Sequence, residues 1–452
     1  MITLLFALII APIIFLAGYT HGNNDKASPN PIVYPAVQME TADYVIYKNG
    51  STVYAKNSST GAIDYSGTNA SEAIQHALNA KGTIHIQKGT YFLDTELLIS
   101  SDTWLQLSPQ TTLRAAKGKY AIENQDSVNG DSNIKITGGT ITGEGVSAAL
   151  INIAKSSYIQ IAYGEYCYSN KSGINLWNCN HVSIQTNRIH HNNDDGITLN
   201  GDCTYKNHRI SGNYIYNNGN DTYQNRVGSG IHAINYATNL IITDNYVYNN
   251  QLSGIYIEAS EKTVWGDCHD IIVSDNIVYD NREGDGILIM YSYNFIISDN
   301  WSHHNHGDGI VVDGVNSGTI NGNICTDNLG RGILVTSEAT QKHLPIQVGN
   351  VTITNNVANK NGGCPTANYE GICLWNASYC VITGNIVQDN SGFGINEYAP
   401  AGGTTDYNII VSNQASGNHH ITTDIEYVGA NTLVIANVGR YIPQGNYTTT
   451  PP

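Results

Sequence analysis

Residues 242–250 read ITDNYVYNN, an apolar–polar alternation broken by asparagines at 245 and 250. The same frame returns in ISGNYIYNN (210–218), VSDNIVYDN (273–281), ISDNWSHHN (297–305), INGNICTDN (320–328), ITNNVANKN (353–361) and ITGNIVQDN (382–390). The first Asn of each copy falls at 187, 213, 245, 276, 300, 323, 356, 385 and 413, and a second follows five positions later. Glu165 and Asn170 form an earlier, degenerate copy. After each second Asn comes a Gly-Ile pair, as in DGITL, SGIYI, DGILI, DGIVV and RGILV. Self-similarity at this spacing marks a repeat architecture in which one unit cannot bury its own apolar face and must stack on the next. Each unit holds short alternating strands separated by Asn and Gly turns. No helical period alternates with them, which excludes a TIM barrel or a doubly wound sheet. The predicted fold class is therefore all-β, a parallel β-helix with one coil per repeat and coils stacked at about 4.8 Å. Asn170, Asn192, Asn218 and their successors then form an internal amide ladder that satisfies buried turn groups.

The chain has 452 residues, only 13% of them charged, with 45 Gly, 30 Tyr and a formal net charge of -16. That balance excludes a nucleic-acid partner, because phosphate binding needs clustered Lys and Arg. It also disfavours direct binding of a polyanion unless Arg or a bridging cation intervenes. Residues 1–22 begin with the apolar run MITLLFALIIAPIIFLAG and are expected to be a signal peptide or N-terminal anchor, although no Lys or Arg precedes the run. The expected location is secreted or cell surface, with no membrane contact beyond that segment. Residues 23–64 form an extension, 65–440 the β-helix and 441–452 a tail. The eight cysteines contain no CxxC pair, so a zinc knuckle is excluded. In an exported chain disulfides are expected, and Cys364 and Cys373, bracketing one loop, make the best pair.

SEAIQHALNA (71–80) reads as a short amphipathic helix with Ser71 as N-cap, placed to cover the open end of the first coil. Together with GTIHIQKGTYFLDTELLI (82–99) and the later Asn/Gly-Ile coils, it resembles the right-handed parallel β-helix proteins of the pectate-lyase-like superfamily. The resemblance covers residues 65 to 435. It implies a right-handed, single-stranded solenoid and a polysaccharide partner, which can contain uronic acid. It leaves the reaction open among hydrolase, lyase, epimerase and non-catalytic glycan binding.

A solenoid builds a groove from loops inserted at one edge. Such loops are expected at 220–227, 258–269, 337–349 and 362–369, flanking compact coils at 276–335. Immediately before Gly-Ile the column of residues runs Ser172, Asp195, Ser229, Ser253, Asp285, Asp308, Arg331, Glu370. Asp285 and Asp308 are then like charges about 5 Å apart on neighbouring coils. Such a pair separates into one acid and one carboxylate, the division of labour that glycosidic cleavage requires. Arg331 stands on the next coil to hold a uronate or lower a carboxylate pKa, and His306 stands one turn away to move protons. EGDG, HGDG and LGRG occupy the places where polygalacturonase-type hydrolases of the superfamily carry NTDG, DD and GHG. The missing NTDG, doublet and RIK put that activity in doubt, and the doublet Asp194–Asp195 lies three coils from Asp285.

An outward aromatic column, Tyr216, Tyr248, Tyr279 and His303, offers rings for pyranose stacking or forms a ladder packed on itself. His232, Tyr256 and Glu258 complete the expected substrate-binding set. For a lyase, the base and neutralising group come from Tyr248, Tyr279, His303, His232 and Arg331. No cofactor is required. Asp280, Asp285, Asp308 and Asp313 are oxygen ligands compatible with Ca²⁺, whereas HHNH (303–306) lacks the spacing of a zinc site. The alternative is a non-catalytic surface protein, in which DGI is only turn chemistry and the carboxylates cap turn amides.

Overall fold

In the computed structural model the described residues are 41–440, less 146, 204, 220–227, 260–267, 338–347, 365–366, 401–402 and 420–422. The apolar leader, the 441–452 tail and most of the loop insertions at 220–227, 258–269 and 337–349 lie outside them. Among the described residues, three sheets of 18, 13 and 13 strands, here A, B and C, wind into a right-handed β-helix, parallel throughout except where Tyr44–Asn49, Thr52–Asn57 and Ile63–Gly67 pair antiparallel in A. One coil runs Ala237–Thr243 in sheet A, Tyr246–Tyr248 in sheet B and Ile255–Glu258 in sheet C. The next runs Cys268–Ser274, Ile277–Tyr279 and Ile287–Met290, each strand pairing in parallel with its counterpart below.

Alternation within each strand fills the interior. Ile255, Ile287, Ile310, Ile333 and Ile372 form one fully buried row of sheet C. Each such side chain contributes about 2 kcal/mol of burial. The two corners beside sheet B are held by asparagines. At the A–B corner, Asn245 Oδ1 accepts from the backbone N–H (3.0 Å) and Nδ2 (2.9 Å) of Asn213, and its own Nδ2 passes the chain on to Asn276 Oδ1 at 3.0 Å. At the B–C corner the series runs Asn192, Asn218, Asn250, Asn281, Asn305, Asn328, Asn361, Asn390, Asn418 in the same way. Asp424 takes the last place and is held by Arg440 Nε at 2.9 Å.

The degenerate copy corrects the expected ladder by one residue. Glu165 pairs with Arg188, so Gly164 and Ser169 stand where later coils have asparagines. Asn170 is exposed and meets Asn193 on the surface. The Gly of Gly-Ile is also explained by packing rather than by turn conformation. A Cβ on Gly309 would lie 2.6 Å from Gly332 O and 2.8 Å from Asn328 Nδ2, so only hydrogen fits between coils.

Both ends of the solenoid are closed. The one helix among the described residues, Ala70–Ala80, buries Ala73, Ile74, Ala77 and Leu78. Its N-cap is Asn69, whose side chain accepts from Glu72 N, and not Ser71. Ser71 Oγ instead accepts from Asp94 N at 2.8 Å, tying helix to coil. Gln75 works as a surrogate strand: Oε1 accepts from Leu98 N (2.8 Å) and Nε2 donates to Leu98 O (3.0 Å), pairing the free edge of sheet C. Strands Tyr44–Asn49, Thr52–Asn57 and Ile63–Gly67 precede the helix and join sheet A, so the sheet begins at Tyr44 rather than at residue 65. At the other end Glu397 replaces an apolar residue of the inward row. It accepts from Asn408 Nδ2, Thr432 Oγ1, Val428 N and Gly429 N at 2.7–3.1 Å.

Asn305→Ala leaves Asn281 N–H, Asn281 Nδ2 and Val278 O without their partner in a fully buried corner. Each orphaned group costs about 1–3 kcal/mol. The expected outcome is a loss of at least about 3 kcal/mol in urea unfolding, whereas the surface exchange Asn170→Ala leaves the midpoint unchanged.

Candidate functional site

The sheet C strands that begin at Ile174 through Ile395 start at the Ile of a Gly-Ile pair, and each presents two residues outward. Register puts the first of these in one column, Thr198, His232, Tyr256, Leu288, Val311, Leu334 and Cys373. The second column includes Glu258, Met290, Asp313, Thr336 and Trp375. With the residue before each Gly, these columns make one continuous outer face.

At one end His232 is clamped between two carboxylates from the coils on either side. Its Nδ1 lies 3.1 Å from Asp195 Oδ2 and its Nε2 3.2 Å from Glu258 Oε1. Asp195 is fixed in turn by Ser229 N (2.8 Å) and Thr198 Oγ1 (3.0 Å). Tyr256 stacks on His232 at 4.6 Å and donates its hydroxyl to Glu258 Oε2 at 2.5 Å. Burial alone would lower the His232 pKa. The Asp195 and Glu258 contacts outweigh it and raise the group to about 9. Burial would raise Glu258, but the bonds from His232 and Tyr256 hold it below the ordinary value. Burial and the Glu258 charge raise the Tyr256 phenol, so it stays a donor. The result is an imidazolium held between Asp195 and Glu258, with the Glu258 carboxyl favoured in its ionised form.

The structure thus brings together His232, Tyr256 and Glu258 and adds Asp195, which sequence reasoning left out. Asp195 is indeed remote from Asp285. A carboxylate before one Gly-Ile pair and a His just after the next is nevertheless a pairing visible in the aligned repeats.

The line Asp285, Asp308, Arg331, Glu370 borders the same face, and its chemistry differs from expectation. Asp285 Oδ1 accepts from Asp308 N at 2.7 Å, and Asp308 Oδ1 accepts from Arg331 N. Both carboxylates therefore cap the turn amide of the following coil. Asp285 Oδ2 makes no hydrogen bond among the described residues. Burial, then the Asp308 charge, push Asp285 up to about 7. Burial also raises Asp308, against the pull of Arg331. Arg331 is not open to a ligand carboxylate. Its Nε meets Glu370 Oε2 at 2.9 Å, its NH1 lies 3.6 Å from Asp308 Oδ2, and its guanidinium plane sits over Tyr369 and Trp375. His306 is exposed and bonds to none of these groups.

The aromatic column belongs to the outer face of sheet B. His190, Tyr216, Tyr248, Tyr279 and His303 stack at 4.7–5.0 Å with interplanar angles of 4–17°. Tyr216, Tyr248 and Tyr279 spend both ring faces on their neighbours, so a sugar meets only their edges. Burial and then His304 lower His303 to about 4. Tyr168 is one position out of this column and stacks on His191.

The expected Cys364–Cys373 bridge is absent, and the eight cysteines form no disulfide. Cys373 is spent in an apolar strip with Val311 and Leu334. Among the described residues no three His, Cys, Asp or Glu converge on a cation. Asp195 and Glu258 bind opposite nitrogens of one ring, and Asp285 and Asp308 are turned to backbone amides. No metal step is derived from either set.

The repeat, the three sheets and the end caps define a right-handed β-helix protein. The model of the right handed beta helix region matches residues 117–264 and 302–438, and the chain belongs to that family. A model described as periplasmic copper-binding protein (NosD) matches residues 220–344. Among solved structures, the Azotobacter vinelandii mannuronan C-5 epimerase AlgE4 A-module is similar at 16% identity and TM-score 0.56, over 80% of this chain and 95% of that one. The AlgE6 A-module of the same organism matches at 16% and 0.55, over 83% and 96%. The receptor binding domain of the Siphovirus 9NA tailspike matches at 12% and 0.52, over 83% and 76%. These likenesses show the fold. Among the described residues no helix is long and apolar enough to cross a membrane.

The clamp predicts a measurable titration. His232 is raised from an unfolded value near 6.5 to about 9. Its contribution to stability is therefore complete below pH 6.5 and is lost as pH rises to 9. Across that window it amounts to at most about 3 kcal/mol. The His232 imidazole resonances in NMR should titrate near 9, and in Asp195→Asn they should move down by at least one unit.

Proposed function

We propose that the outer face of sheet C binds a polysaccharide and cleaves its glycosidic bonds by general acid–base chemistry. The observation that supports this reading best is the His232 clamp: a proton kept on an imidazole at neutral pH, beside a carboxylate kept ionised. When a glycosidic oxygen displaces Glu258 from Nε2–H, His232 donates that proton to the departing oxygen. Glu258, 3.2 Å from Nε2 and therefore on the same side of the bond, takes a proton from the water that captures the anomeric cation once the leaving sugar has departed. Atoms and charge balance, because the proton lost by the imidazolium appears on the leaving sugar and the water proton appears on Glu258. Asp195 holds the ring in place, and Tyr256 orients Glu258. Asp285, with an unused oxygen and a pKa near 7, is a second acid on the same face. The periplasmic description of the matching NosD family supports a location outside the cytoplasm, where polysaccharide is met.

A second reading, glycan binding without turnover, draws support from the capping roles of Asp285 and Asp308 and from the self-stacked ladder of sheet B. A panel of neutral and uronate polymers separates the two readings, with new reducing ends and retardation in affinity electrophoresis both measured. Catalysis predicts at least a 100-fold loss of turnover in Glu258→Gln and His232→Asn with retardation retained. Turnover equal to wild type in both variants would falsify the assigned roles. Retardation without any new reducing end in the wild type assigns binding alone.

A further inference from the structure

We infer that the polymer accepted by this face is uncharged, an inference that rests on the polysaccharide reading above. The face presents Asp195, Glu258, Asp285, Asp308, Asp313 and Glu370, against which its described cations are His232 and Arg331. Both cations are consumed internally. His232 stands between Asp195 and Glu258 at 3.1 and 3.2 Å. Arg331 stands between Asp308 and Glu370, and its guanidinium is flanked by Tyr369 and Trp375, with a side chain 14% exposed. A uronate carboxylate approaching Arg331 must displace Asp308 or Glu370 from a partly desolvated pair, and one approaching His232 brings a third carboxylate to an imidazolium that already has two. The net charge of -16 opposes a polyanion at longer range as well.

The remainder of the face suits hydroxylated, neutral rings. Alongside the Asp285–Glu370 line, on the same coils, runs an apolar strip of Leu288, Val311, Leu334 and Cys373 packed against Trp375. Trp375 packs edge-on to Tyr398, which is 44% exposed on the next coil. Aromatic planes beside polar hydrogen-bonding groups are also the surface on which sugar rings stack.

The inference is tested with the full chain by affinity electrophoresis and calorimetry. The probes are neutral polymers (xylan, mixed-linkage β-glucan, galactomannan) and uronans (polygalacturonate, polymannuronate), each at low and high salt. Binding of at least one neutral polymer, weakened at least tenfold by Trp375→Ala, with no uronan bound at either salt concentration, is the expected result. Glu370→Gln keeps an oxygen for Arg331 Nε, which preserves the fold, but removes one of the two charges that occupy the guanidinium. It is expected to confer measurable, salt-sensitive uronan binding that the wild type lacks. Wild-type binding of a uronan in preference to every neutral polymer, abolished by Trp375→Ala, overturns this inference while leaving the polysaccharide reading intact. Binding of none of the five overturns both.

Discussion

Hydrogen-bond satisfaction at the coil corners is the constraint on which this structure depends. A solenoid that turns sharply between short strands carries backbone N–H groups and carbonyls into its interior, where water does not reach them. Asparagine meets the demand because one side chain supplies an acceptor for the coil before it and donors for its own corner and the coil after it. At the A–B corner, each amide from Asn213 to Asn413 takes two hydrogen bonds from one neighbour and gives one to the next. The geometry follows from stacking: at a separation of about 4.8 Å, identical amides reach one another only if they occupy identical positions. That requirement locks the register of all three sheets and explains why the five-residue spacing between paired asparagines is constant while loops are inserted elsewhere in the coil.

The same stacking rule explains how functional groups gather on sheet C. Residues adjacent in space are one coil apart, 23 to 39 positions in sequence among the pairs discussed here. An aspartate before Gly-Ile, as at 195, 285 and 308, therefore faces the amide of the next coil, whereas the longer Glu370 reaches the Arg331 and Asn396 side chains. Whether such an aspartate does more depends on the outward residue above it. Over Asp195 that residue is His232, and an ion pair forms. Over Asp285 and Asp308 the equivalents are Val311 and Leu334, so Asp285 has little beyond the backbone to bind and Asp308 pairs instead with Arg331 beside it.

The architecture was readable because it has a period, and a period averages over local ambiguity. The interior Asn and Ile rows could be assigned from spacing alone. Readings that depended on a single copy were less secure. The Glu165–Asn170 copy was placed one residue out of register, since a side-chain period of two makes adjacent frames look alike where the Asn signature is lost. The helix cap fell on Asn69 rather than Ser71 because Ser71 faces the coil and bonds to Asp94. Outward direction was legible for Tyr216, Tyr248 and Tyr279, but their partners were not. Stacking on one another and stacking on a sugar impose the same sequence pattern, and only ring separations tell them apart.

The two charged clusters on sheet C also show why a shifted pKa by itself does not identify a working group. Asp285 is raised by burial and by Asp308, as an acid catalyst would be, yet one of its oxygens is committed to a turn. His232 is shifted by contacts that the fold does not need, because Asp195 already caps Ser229 without it. A histidine at that position adds a proton between two carboxylates and a stacking partner for Tyr256, while Leu240 and the inward rows carry the packing. Groups whose interactions exceed what the corner and the core require are the ones left to act on something outside the protein. By that criterion the His232 clamp, and not the Asp285–Asp308 line, is the centre of the face.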